Sequence, residues 1–132
     1  SWIVGHTQRF KAAIAQAGFV NFATLYYLSD IPGIFSRDLG GRPHEIPDVY
    51  RACSPITYAH RCTTPTLLLH GEADLRCPIS EAEQFHRALS DVGCVTELFR
   101  IPQCPHSGDS TGPLSARRAQ NDALLDWFER YL

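Results

Sequence analysis

The sequence predicts an α/β fold in which parallel strands alternate with helices. Three observations point there. Thr66–His70 (T-L-L-L-H) is a short, continuous apolar run behind Pro65, the pattern of a strand buried on both faces. Apolar stretches of strand length, Lys11–Gln16 and Val95–Ile101, lie on either side of it in the chain. Helical patterns follow all three, and β-then-α units in series imply a parallel sheet with right-handed crossovers.

Taken in order, Trp2–Val4 is apolar with no capping signal ahead of it and reads as the tail of a helix. Lys11–Gln16 reads as a buried strand ending before Ala17-Gly18. Phe19–Asp30 carries aromatics at near-helical spacing and reads as a core-facing helix. Ile31–Pro47 contains Pro32, Pro43, Pro47, Gly33, Gly40 and Gly41 and reads as a loop or set of turns. Asp48–Cys53 suits one or two helical turns ending at Ser54-Pro55, and Ile56–Arg61 leads into the central strand. His44 and His60 in these connections read as surface residues.

The next helix is expected over Ile79–Val92. Ser80 with Glu83 fits a capping box, Ala82, Phe85, Leu89 and Val92 recur on one face, and Gly93 suits the position just past the end. His86 falls off that stripe and is expected to be solvated. Val95–Ile101 alternates imperfectly, as a strand nearer the sheet edge does. Gln103–Gly112 is a polar loop. A final helix spans Leu114–Leu132, with Leu124, Leu125, Phe128 and Leu132 on its apolar side and Asp126–Arg130 as an i,i+4 pair.

Composition narrows the function. A chain of 132 residues can form one domain with a real core. Its formal charge of −2 offers no basic field for nucleic acid or an anionic membrane surface. No apolar run is long enough to span a bilayer, and the N-terminus has no signal-peptide pattern. The five cysteines are odd in number and lack C-x-x-C spacing, which points to a reduced, cytoplasmic setting and small buried thiols. Cys94, Cys104 and His106 lack the close paired spacing of a structural zinc site.

Chemistry concentrates at the carboxyl ends of the strands, where open α/β sheets build their sites. Asp74 lies in the loop after the central strand, and His106 lies in the loop after the last one. A carboxylate there can orient a histidine that arrives from a later loop. His70 reads as a packed strand-end residue, Arg76 as a partner within its own loop, and Glu72 as a rival acid.

The stretch H-G-E-A-D-L-R-C-P (His70–Pro78) resembles the acid-loop motif of the prolyl oligopeptidase family. The similarity extends to the acylaminoacyl-peptidase and dipeptidyl-aminopeptidase-like branch. It also takes in Trp2–Phe10, Lys11–Gly18, Ser54-Pro55 and Leu125–Leu132, in order and at family spacing. The resemblance implies the C-terminal half of an α/β-hydrolase fold, residues 1–132 being one piece of a peptidase catalytic domain. It implies a serine peptidase acting on short peptides, with Asp74 and His106 as the acid and base of the triad. Separately from the resemblance, Phe19–Asp30 follows the carboxyl end of a strand, where pocket walls arise, so Phe19, Phe22, Tyr26 or Tyr27 are candidates to line a substrate pocket. No metal or organic cofactor is implied.

The family's nucleophile elbow, Gly-Gly-Ser-Tyr-Gly-Gly-Tyr, is expected just before Ser1, and any β-propeller further upstream. Gln103–Gly108 departs from the family wording, which has Glu-Ser before the histidine. Gly108–Gly112 is a literal G-x-S-x-G, but a long loop rather than a strand precedes it, Pro113 follows, and no histidine lies downstream of Ser110. Ser1 and Ser107 also lack an elbow. A sheet of the last three strands would leave an apolar edge bare, so packing against the upstream part of the enzyme or a second copy is expected. Esterase or thioesterase chemistry on the same dyad, or a non-catalytic assembly role, are the alternatives.

Overall fold

The structure is a computed structural model that describes residues 1–132. Its centre is a three-stranded, wholly parallel sheet in the order β1-β2-β3: β1 (Ala13–Gln16), β2 (Thr66–Gly71) and β3 (Thr96–Ile101). Leu68 sits level with Ala15 on one side and Leu98 on the other.

All six residues of β2 are buried, as its unbroken apolar run requires. Alternation sends its leucines to opposite faces. Leu68 joins Val4, Val20, Ala82, Phe85 and Leu89 on one face, while Leu67 and Leu69 meet Ala12 and Trp127 on the other. Each such leucine contributes about 1.5–3 kcal/mol of apolar burial. β3 is an edge strand, half-buried with Glu97 and Arg100 exposed on opposite faces rather than one face wet, and β1 forms the opposite edge. The amides of Ala13 and Ala17 bond inward to Pro65 and Leu69, which turns the backbone groups of Ile14 and Gln16 to the open side.

The helices cover the two faces. Trp2 has helical backbone angles and leads into a 3-10 turn, Ile3–Gly5. Its glycine is required, because a Cβ on Gly5 would press to 2.8 Å against that of Tyr58. α1 (Phe22–Leu28) is capped by Asn21, whose side chain accepts the Ala23 amide.

The stretch expected to be a loop holds a helix, α2 (Pro32–Leu39). Pro32 stands in the first turn, where its missing N–H costs nothing, and Gly40 closes the helix at φ 88°. α3 (Pro47–Cys53) also starts on a proline, and a 3-10 helix over Pro55–Arg61 leads to β2.

α4 (Ile79–Asp91) starts after Pro78, so Ser80 lies inside the first turn and makes no cap. The expected capping box is therefore absent, and Glu83 pairs with Arg100 instead. Ala82, Phe85 and Leu89 are buried as expected, but Val92 lies past the helix end and is exposed. Gly93 turns the chain at φ 75°. His86 is half-buried beside Thr96 rather than fully solvated.

A four-residue helix, α5 (Gly108–Thr111), interrupts the polar loop before α6 (Leu114–Tyr131). The inner face of α6 is Gln120, Ala123, Leu124, Trp127, Phe128 and Tyr131. Leu125 and Leu132 point outward, because the 3.6-residue period is centred on Trp127. Arg130 forms its ion pair with Glu97 of β3 at 2.7 Å, not with the Asp126 carboxylate. No helix is long and apolar enough to cross a membrane.

Candidate functional site

The loops leaving β2 and β3 are stitched together at the carboxyl edge of the sheet. The amide of Glu72 donates to Ile101 O at 3.0 Å, and that of Ala73 to Cys104 O at 3.1 Å. Gly71 permits this approach, since a Cβ there would overlap the Cys104 carbonyl. Gly108 does the same for the Cys104 sulfur. Between them Gln103 adopts a left-handed conformation at φ 57° and turns the chain toward His106.

Asp74 is 3% exposed, and its carboxylate is fully engaged. Oδ1 accepts the amides of Arg76 (2.9 Å) and Cys77 (2.8 Å), the geometry of an Asx turn. Oδ2 lies 2.8 Å from Nδ1 of His106. A carboxylate only accepts, so Nδ1 carries the hydrogen, and the neutral ring keeps its lone pair on Nε2. That Nε2 makes no protein hydrogen bond. The His106 side chain is 40% exposed and borders a cleft of about 340 Å³ lined by Gln16, Ala17, Ser107 and Asp109. A buried acid, an oriented imidazole and an open basic nitrogen make a unit that can accept and return a proton.

The other candidates fall outside this pair. Glu72, the rival acid, is bound to Arg100 at 2.8 Å. Arg76 reaches out of its own loop to Asp30, with Nε–Oδ1 at 2.7 Å. Ser110 sits exposed on α5, donating to Ser107 O, with no strand running into it. His44 and His60 are exposed. No group of three or more His, Cys, Asp or Glu residues is arranged to hold a metal ion.

Phe19 and Phe22 pack with their rings tilted by 59° and their centres 4.7 Å apart, and Phe22 meets Phe35 of α2 at 6.1 Å. Tyr26 belongs to a second cluster with Tyr27 and Tyr50. None of Phe19, Phe22 and Tyr26 lines the His106 cleft itself. Helix α1, which carries two of these aromatics, is tied at both ends to the acid loop and the helix that follows it. At its end, Ser29 Oγ donates to Arg76 O at 2.7 Å, and the Asp30 amide donates to Leu75 O. At its start, the buried Glu81 of α4 accepts the amides of Val20 and Asn21. Glu81, Ser29 and Asp30 gave no signal in the sequence, because their partners are dozens of residues away.

All five cysteines are free. Burial, reinforced by the Asp74 charge, pushes the Cys77 thiol up to about 12. Burial and a contact with Cys62, sulfur to sulfur 3.6 Å, do the same for Cys94. Neither thiol is an activated nucleophile at neutral pH.

Comparison with known proteins supplies a frame for this geometry. The model of the prolyl oligopeptidase family matches residues 1–132. The uncharacterized peptidase YuxL of Bacillus subtilis is 39% identical over 134 residues, covering 100% of this chain and 20% of that protein. The acylamino-acid-releasing enzyme of Arabidopsis thaliana is 31% identical over 134 residues, covering 93% of this chain and 17% of that one. Among solved structures, the acylaminoacyl peptidase of Pyrococcus horikoshii superposes with a TM-score of 0.92 at 29% identity, over 99% of this chain and 21% of its own. That likeness gives the α/β-hydrolase fold. The chain spans about a fifth of the length of these relatives.

Proposed function

The chain belongs to the prolyl oligopeptidase family, and from that premise we propose that it is the acid-and-histidine portion of a serine peptidase acting on short peptides, of the acylaminoacyl- or dipeptidyl-peptidase kind. The observation that carries the reading is the 2.8 Å contact between Asp74 Oδ2 and His106 Nδ1 at the carboxyl edge of the sheet. In this reading a longer polypeptide supplies the nucleophilic serine from a segment ahead of Ser1. The relatives' greater length and the open edge of β1 both support it.

The chemistry follows from the pair. The serine oxygen attacks the scissile carbonyl as its proton passes to His106 Nε2. Asp74 holds the ring in the Nδ1–H tautomer and stabilises the imidazolium. His106 returns the proton to the leaving amine, and the C–N bond breaks to leave an acyl-enzyme. Water then enters, loses a proton to the same nitrogen and releases the acid as the serine is reprotonated. Phe19, Phe22 and Tyr26 form the wall of the substrate pocket, on a helix tied to the acid loop. Peptide is the substrate partner, and the upstream segment covers β1 where a second copy otherwise would. The free, closely spaced thiols Cys62 and Cys94 favour a reducing, cytoplasmic setting.

The test uses the longer polypeptide that includes the upstream segment. It is treated with a fluorophosphonate probe and assayed in parallel on acyl-peptide, dipeptidyl and simple ester substrates. Labelling upstream of Ser1, peptide hydrolysis, and a fall of about 10⁴-fold in kcat for Asp74→Asn are expected. Hydrolysis of esters alone turns the reading to an esterase. Labelling at Ser110, or full activity of His106→Ala, overturns it.

A further inference from the structure

Asp74 is approached by two histidines, not one. His70 closes β2 and is 2% exposed. Its Nε2 lies 2.6 Å from the carbonyl oxygen of Cys77. A carbonyl oxygen only accepts, so this nitrogen carries a hydrogen. The same Nε2 is 3.6 Å from Oδ2 of Asp74, the oxygen that meets His106 Nδ1. Oδ2 thus lies between an imidazole fixed in the central strand and an imidazole carried by a loop.

The surrounding charges do not offer Asp74 another side-chain partner. The Arg76 guanidinium is bound to Asp30, and Arg100 is bound to Glu72 and Glu83. Glu81 directs its oxygens to Val20, Asn21 and Thr24. The Cys77 thiol is held in its neutral form by burial. His70 and His106 are the two side chains within ion-pair distance of the Asp74 carboxylate.

We propose that His70 is a positioning residue for the Asp74–His106 pair. Its hydrogen bond to Cys77 O at 2.6 Å clamps the far end of the acid loop, and that clamp holds the Asp74 carboxylate, whose Oδ2 is 3.6 Å from the same ring nitrogen, in place opposite His106 Nδ1. The role rests on the reading of Asp74 and His106 given above, and it goes beyond packing. A phenylalanine would fill the same volume but leave the Cys77 carbonyl buried without a donor. A glutamine can place an N–H close to where Nε2 stands.

His70→Phe and His70→Gln are compared in the intact enzyme, with thermal melting to establish folding. Two signals are read: kcat and KM on a peptide substrate, and the low-field proton resonance of the His106 Nδ1–H···Asp74 bond. The resonance is assigned by its loss in Asp74→Asn. The Phe variant should lose about tenfold or more in kcat with KM little changed, and the resonance should weaken or shift. The Gln variant should recover most of both. If the Phe variant does not fold, His70→Leu takes its place as the variant without a donor.

Equal impairment of Phe and Gln variants would mean that ring packing alone matters, and the proposal fails. It fails likewise if the Phe variant keeps both kcat and the resonance. Failure of the parent reading looks different, since His106→Ala would then leave activity intact whatever residue stands at position 70.

Discussion

The carboxylate of Glu81 accepts the backbone amide of Val20 at 2.9 Å, across 61 positions of sequence. It also takes the Asn21 amide at 2.8 Å and the Thr24 hydroxyl at 2.6 Å, and it is wholly buried. No cation is bonded to it, so hydrogen bonds alone offset its desolvation. Glu81→Ala leaves two backbone amides in the interior without acceptors. It should cost about 3 kcal/mol in urea unfolding, and Glu81→Gln, which keeps one acceptor oxygen, about 1 kcal/mol. Equal stability of the Ala variant would mean that the β1–α1 turn is held by other contacts.

Gly71 is the second point where one atom decides the site. A Cβ there overlaps the Cys104 carbonyl, and this obstacle is backbone rather than a flexible side-chain tip. Gly71→Ala must push the His106 loop away from the acid loop. The expected result is a loss of at least about 2 kcal/mol in stability together with loss of the Asp74–His106 contact. Thermal melting and the low-field resonance of His106 measure the two effects separately. Gly33→Ala, with nothing within 4 Å of the added carbon, is the silent control.

Alkaline pH should unfold the protein through its buried thiols. Cys77 and Cys94 are raised from an ordinary 9.0 to about 12, chiefly by burial. Between those values the unfolded chain has released these protons while the folded chain keeps them. Stability is therefore fully present below pH 9 and is lost as pH climbs toward 12, by roughly 1.4 kcal/mol for each unit of upward shift per thiol. Urea midpoints across that range should fall less steeply in Cys77→Ala and Cys94→Ala. Tyr50, also raised by burial, contributes in the same direction, so the variants rather than the slope alone identify the thiols.

Much of this was legible in the chain, for physical reasons that differ by residue. Leu67–Leu69 announced a doubly covered strand because nothing polar interrupts them. Asp74 and His106 stood out because a carboxylate and an imidazole followed successive strands, and the loops join them at 2.8 Å. α2 was missed because Pro32 and Gly40 read as breakers, whereas they stand at its two ends. Ser80 and Glu83 matched a capping box by spacing, but the helix is entered from Pro78, two positions too early for it. Trp127, not Leu125, centres α6, and helical period alone does not choose between neighbouring stripes when both are apolar. Glu81 gave no signal in the chain, and only the fold brings Val20 to it.

The Arg76–Asp30 pair gives a last prediction, because it tests the proposed substrate wall apart from the proposed proton transfer. Arg76 serves Asp74 only through its backbone amide, which any residue other than proline can supply. Its side chain instead holds Asp30, just past the end of α1, at 2.7 Å. That hydrogen bond keeps the Asp30 carboxyl below its usual range. The link is therefore present above the ordinary carboxylate pKa and lost as pH falls further into the acid range. Both groups are exposed, so stability should barely change in Arg76→Ala. What changes is the anchoring of the helix that carries Phe22 and Tyr26. In the intact enzyme the expected outcome is a severalfold rise in KM for peptide substrates with kcat held within about twofold. A fall in kcat at constant KM would mean instead that Arg76 acts on the Asp74–His106 pair, and the aromatic helix would lose its claim to the substrate pocket.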